Sequence, residues 1–203
     1  MGTVIPPVRP WPAAQQAALD DLVKHGLAVI SITPDVSAAR EQVRLQIRAA
    51  LLDTLAAAGH CPPSQVQLFS EAAQALRVVV PGRKFGVSIT HEAGLSLAAI
   101  IDGGAVGVDL VHVDELLDWK PVAQLYLGDE ATAAISRHPA AEQARCFALK
   151  WTEHEARLKC CGLGISEWSV ELAGKLAGCS VSTLDVPAVY AGSIAVLMPP
   201  ISR

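Results

Sequence analysis

Several things are missing from this 203-residue chain, and each absence removes a class of function. Its five cysteines (Cys61, Cys146, Cys160, Cys161 and Cys179) are odd in number and contain no CxxC pair, so neither a disulfide framework nor a zinc site is expected. Lys and Arg form no block, and the net charge is −4. A broad nucleic-acid surface is therefore excluded as the main reading, although a local phosphate site is not. No run approaches the ~18 apolar residues of a membrane span, and charges interrupt every candidate. The N-terminus, MGTVIPPVRPWP, has no apolar run of signal-peptide length. No Gly-rich phosphate loop is present. The expectation is a soluble, reduced, cytoplasmic protein.

What is present is apolar material. It makes up 51% of the residues, enough for a large core in one domain or in two small halves sharing one. Residues 13–28 read as a helix ending near Gly26, and 29–32 as a strand. Residues 37–59 form the strongest helical pattern, with Val43, Ile47, Leu51 and Leu55 at spacing four and Gly59 at the C-terminal end. Between 64 and 113 the runs VQLF, LRVVV, FGVSIT, LSLAAII and AVGVDLVHV predict short strands. Helical segments follow over 112–145, with a turn near Gly128 and a break at Pro139. Residues 147–161 predict a second clear helix. In the tail, SVEL, SVSTL and YAGSIAVLM predict strands. Each half runs from helix to strands, which hints at two similar α+β lobes without a repeat of fixed period.

Four places carry candidate chemistry. Asp109 interrupts the apolar run AVGVDLVHV, where an ionised carboxylate needs a partner or a metal unless it caps a strand end. Gly107 beside it permits close backbone approach. In WTEHEARLK, Trp151, Glu155 and Lys159 recur at spacing four and share one helix face. An exposed Glu–Lys pair accounts for the two charges but not for the Trp. His91 ends a strand in VSITHEAG and is either structural or a phosphate ligand. Arg40, Arg44 and Arg48 make a basic stripe, either a solvated face or a site for phosphate or an acidic partner. Together, Asp109 and Glu155 could share one Mg²⁺, an ion that takes oxygen ligands and substrate phosphate. Lys159 and His91 could hold phosphates of a pyrophosphate under attack.

Three segments, SITHEAG (88–94), VGVDL (106–110) and WTEHEARLKCCG (151–162), occur in this order. The set resembles the 4′-phosphopantetheinyl transferases of the larger, surfactin-synthetase-activating type. That family carries a strand ending in Ser-His, then Gly-[Ile/Val]-Asp, then Trp-[Ser/Thr]-x-x-Glu-[Ala/Ser]-x-x-Lys. The resemblance implies an α+β fold of two similar lobes in one chain, about 1–105 and 106–203, within a single transferase domain. It implies transfer of phosphopantetheine from coenzyme A to a serine of an apo acyl or peptidyl carrier protein, releasing adenosine 3′,5′-bisphosphate. Asp109 and Glu155 would be the Mg²⁺ ligands, with Glu155 also the general base. Lys159 would contact the pyrophosphate, His91 and the backbone around Thr90 a coenzyme A phosphate, and Trp151 would pack the helix. Such an enzyme, with both sides of its cleft in one chain, is expected to be a monomer.

The chain departs from this pattern in four ways. Val111 stands where many relatives have a second acid, leaving Asp114, Glu115 or water to complete a metal shell. Thr90 replaces the Ser before the His. His154 stands where Lys or Arg is common. The usual upstream Gly-Lys-Pro is missing, and Arg83 or Lys84, ahead of Arg77, is the expected base for the 3′-phosphate. Two other readings stand beside the transferase: a relative that binds carrier or coenzyme A without transfer, and an unrelated Mg²⁺-dependent phosphotransferase.

Overall fold

The computed structural model describes residues 7–35, 38–70, 76–114 and 118–198. Within them the fold is α+β. The first sheet orders its strands β1 (Val8–Pro10), β2 (Leu27–Ile32), β6 (Leu95–Asp102) and β5 (Phe85–Glu92). β1 runs parallel to β2, and the remaining pairs are antiparallel. A short antiparallel pair, β3 (Gln67–Phe69) and β4 (Arg77–Val79), lies outside it. The chain turns at Gly103 and Gly104 into a second antiparallel sheet of β7 (Ala105–His112), β9 (Tyr190–Leu197) and β8 (Ser180–Thr183).

The two sheets lie face to face between layers of helix, and the two-residue period of the strands explains why. On β2, Leu27 and Val29 point into the space between the sheets, where they meet Leu97 and Ile101 of β6 and Val106, Val108 and Ile194 of the second sheet. Ala28, Ile30 and Ile32 point the other way, onto α1 (Gln15–His25) and α2 (Arg40–Ala58). All six β2 side chains are buried, as expected of a strand covered on both faces. Full burial contributes about 1.5–3 kcal/mol per large apolar side chain. α5 (Ala140–Cys160) covers the outer face of the second sheet, through Ala156 and Cys160 against Ala195.

The expected helix at 37–59 is found at Arg40–Ala58, with residues 36 and 37 outside the described residues. The Gln42 side chain reaches back to the Ala39 N–H at its start. At its end, Gly59 is not left-handed (φ −83°), and His60 takes that conformation instead. Gly59 is there for room, since a Cβ would stand 2.5 Å from Val80 Cγ1. Residues 112–145 give α3 (Trp119–Tyr126), α4 (Gly128–Ser136) and the first turns of α5, which Pro139 precedes.

One expectation is overturned. SVEL begins a helix, α6 (Val170–Leu176), rather than a strand. The Ser169 hydroxyl accepts from the Leu172 N–H at 3.1 Å, Glu171 pairs with Lys175 four residues on, and Leu172 and Leu176 bury one face. Cap, charge pair and apolar spacing all favour the helix, and four alternating residues cannot outweigh them. Among the described residues no helix is long and apolar enough to cross a membrane.

Candidate functional site

β7 places the acid. Its odd and even positions part, with Val106, Val108 and Leu110 facing the first sheet and Gly107 and Asp109 facing α5. A Cβ on Gly107 would lie 2.0 Å from Ala156 O and 2.5 Å from Cys160 N. Only a glycine lets the helix approach this closely, and that closeness brings the last turns of α5 over Asp109.

Asp109 is 5% exposed. Its Oδ1 accepts from Lys159 Nζ at 2.6 Å and from Thr90 Oγ1 at 3.2 Å. Its Oδ2 is buried without a hydrogen-bond partner among the described residues. Burial pushes the Asp109 pKa above the usual carboxylate value, and Lys159 only partly opposes this. Lys159 Nζ also reaches Val108 O, at 3.3 Å. Glu155, one turn before Lys159, is likewise raised, first by burial and then by the Asp109 charge. The two carboxylates therefore feel one another. Thr152, buried one turn earlier, shares a 2.9 Å hydrogen bond with Ser193 of β9 and holds the helix against the sheet. Trp151 packs among aromatic rings, edge-on to Tyr126 and tilted against Phe147 and His154.

Glu155 and Lys159 open onto a cleft of about 890 Å³. Its far wall is α2, with Arg40, Arg44 and Arg48, and its floor is β5, with Val87, Ser88, Ile89 and His91. Gly162 to Ile165, just past α5, form one lip, and Leu45 faces the cleft from α2. β5 is tied to β7 across the seam between the sheets by Val108 N–H donating to Ser88 Oγ at 3.1 Å. His91 Nδ1 lies 3.0 Å from Ser96 Oγ. Partial burial lowers the His91 pKa, helped by Arg44, Arg40, Lys159 and Arg48. Among the described residues the lining holds four cations against two carboxylates, Glu41 and Glu155, on a protein of net charge −4. Charge of this sign in a concave site favours a polyanion.

Not every expected residue is brought here. Arg83 pairs with Asp102 at 2.7 Å and stacks on Phe85, ahead of the start of β5, whereas His91 is near its end. Neither Arg83 nor Lys84 lines the cleft. Arg77 stacks on Phe69. The Thr90 hydroxyl is spent on Asp109. His154 is 8% exposed and lies under Trp151, its charged form disfavoured by burial. It lines a separate pocket with Lys150 and Arg157, not the cleft. Val111 brings no acid to β7, and Glu115 is outside the described residues. Among the described residues no group of three or more His, Cys, Asp or Glu is placed to hold a metal. Nothing in the sequence pairs the apolar lips, Leu45 and Ile165, since one lies on α2 and the other in the loop after α5.

Comparison with known proteins agrees with the motifs. A 124-residue stretch is 33% identical to the L-aminoadipate-semialdehyde dehydrogenase-phosphopantetheinyl transferase of Eremothecium gossypii, covering 57% of this chain and 44% of that protein. The chain thus matches less than half the length of that relative. Residues 105–190, which include Asp109, Glu155 and Lys159, match the family model of the 4′-phosphopantetheinyl transferase superfamily, to which this segment is therefore similar.

Proposed function

We propose that the chain transfers the 4′-phosphopantetheine group of coenzyme A to a serine hydroxyl of an apo acyl or peptidyl carrier protein, as a Mg²⁺-dependent holo-carrier-protein synthase. The observation that carries this reading is the convergence of Asp109, Glu155 and Lys159 at a cationic cleft. Coenzyme A is a polyanion with a pyrophosphate and a 3′-phosphate, and the cleft offers cations on both walls. Lys159 meets the pyrophosphate. Arg40, Arg44, Arg48 and His91, across the cleft, take the 3′-phosphate, in place of Arg83 and Lys84.

Two features fit Mg²⁺: the buried Asp109 Oδ2, unpartnered among the described residues, and the Glu155 carboxylate, raised by burial and then by the Asp109 charge. Both supply hard oxygen donors. Asp109 and Glu155 would hold the ion, which when bound neutralises charge on the pyrophosphate oxygens. The protein groups do the rest. Glu155, whose pKa burial and then the Asp109 charge raise above the usual carboxylate value, is the group placed to accept the serine proton, directly or through water. The serine oxygen then bonds to the phosphorus that carries pantetheine, and adenosine 3′,5′-bisphosphate leaves. Lys159 offers its ammonium to the charge that leaves with it. In this reading residues 1–203 act as one cytoplasmic, monomeric unit, with lobes of about 1–105 and 106–203. Its partners are the carrier and coenzyme A, with no role for nucleic acid or membrane.

Val111 motivates a second reading, a relative that binds carrier or coenzyme A without transfer. Intact-mass spectrometry of an apo carrier protein separates the two. The carrier is incubated with the chain, coenzyme A and Mg²⁺, with an EDTA control. A gain of one phosphopantetheine group, lost with EDTA, supports the transferase. No gain across several carrier classes, with coenzyme A still bound, supports the binding-only relative.

A further inference from the structure

Three of the five cysteines meet at the end of α5, and the proposed chemistry uses none of them. Cys160 and Cys161 close the helix, and Cys179 directly precedes β8. Cys161 Sγ and Cys179 Sγ are 3.4 Å apart. The Cys160 thiol donates to Ala105 O at 3.4 Å and also packs against Cys179. Successive helix residues project about 100° apart, so Cys160 faces the sheet while Cys161 turns toward Cys179. Cys161 is partly exposed and Cys179 is buried behind it. An accessible thiol is thus backed by a second one.

We propose that Cys161 and Cys179 form a dithiol that closes to a disulfide under oxidation and thereby stiffens the cleft lip, Gly162 to Ile165. The oxidant class is a low-molecular-weight disulfide. The Cys161 thiolate attacks one of its sulfurs and expels one thiolate. The Cys179 thiolate then attacks the Cys161 sulfur of the mixed disulfide and expels the second. Two protein thiols are oxidised, one external disulfide is reduced to two thiols, and the protein's two protons pass to the leaving thiolates.

Geometry links this bond to the cleft. A disulfide spans about 2.05 Å, so the sulfurs must close by more than an ångström. Cys161 stands directly before Gly162 and two residues after Lys159. The crosslink therefore ties both ends of the segment that holds the lip and α6. Burial and the neighbouring Cys179 thiol push the Cys161 pKa up to about 11. Cys161 therefore rests as a thiol at neutral pH, and its exchange speeds up as pH rises.

The test treats the reduced 203-residue chain with glutathione disulfide at about pH 8.5, near the ordinary thiol value. Free thiols are then alkylated, and intact mass and peptide maps are recorded. The expected product has lost two hydrogens and joins the peptides of Cys161 and Cys179. Cys146→Ser and Cys160→Ser retain this product, whereas Cys179→Ser and Cys179→Ala stop at one glutathione on Cys161. A wild-type chain that also stops there, or a crosslink that survives both Cys179 variants, overturns the dithiol. Hydrogen exchange over 162–165 is expected to slow several-fold in the oxidised chain. Unchanged exchange in a chain shown to be crosslinked overturns the effect on the cleft.

Discussion

Lys159 Nζ lies 2.6 Å from Asp109 Oδ1, joining the last turn of α5 to the middle of β7. The acid is almost fully buried and the ammonium about two-thirds so. A pair in this setting is costly to break, because the remaining charge stays desolvated. Lys159→Met should lower unfolding free energy at neutral pH by about 1–3 kcal/mol. Urea titration would measure it, and an unchanged midpoint would mean that Asp109 finds another partner.

Gly107 sets the distance that the pair requires. In Gly107→Ala the new methyl would occupy the space of the Ala156 carbonyl. Backbone cannot rotate away as a side chain can, so α5 must shift. The expected loss is about 1–3 kcal/mol of stability, with transfer activity falling more than stability explains. Activity retained with lowered stability would show that the helix can move without disturbing the site.

Glu155→Gln keeps shape and removes the basic oxygen. Carrier modification at saturating Mg²⁺ should fall at least about 100-fold, with the far-UV circular dichroism unchanged. A rate near that of the wild type would remove Glu155 from the chemistry.

The His91 pKa is held below its ordinary value of 6.5 by burial and by four cations. The unfolded chain therefore takes up this proton first. The stability due to neutral His91 is complete above 6.5 and is lost as pH falls from there to the folded value. An anion in the cleft reverses the balance, since it offsets the cations. An NMR titration should place His91 below 6.5 in the free protein and move it upward when coenzyme A is added. No movement would separate His91 from the phosphate site.

Val111 follows Asp109 by two residues on β7, so both share one face of the strand. Val111→Glu should add an oxygen donor and tighten Mg²⁺ binding, measured by titration calorimetry. Unchanged Mg²⁺ binding would mean that residue 111 does not face the ion.

Much of this protein was legible before folding was considered. Local rules placed α2, α5 and the strands from 85 to 112, because their periodicity and their Gly and Pro breaks agree. They also marked Gly107, Asp109, Glu155 and Lys159, since a carboxylate in an apolar run and a four-residue spacing are visible in one dimension. They failed at SVEL, where four alternating residues were too few to reveal a capped helix. They did not show that Arg83 and Lys84, near His91 in sequence, are set ahead of the strand whose far end His91 occupies. The arginines that line the cleft lie on α2, more than forty residues before His91 and a hundred before Glu155. Only the packing of two sheets between two layers of helix brought that wall opposite α5. The types of group available are a property of the sequence. Which cations share a cleft, and which thiols touch, depends on long-range burial that no local pattern records.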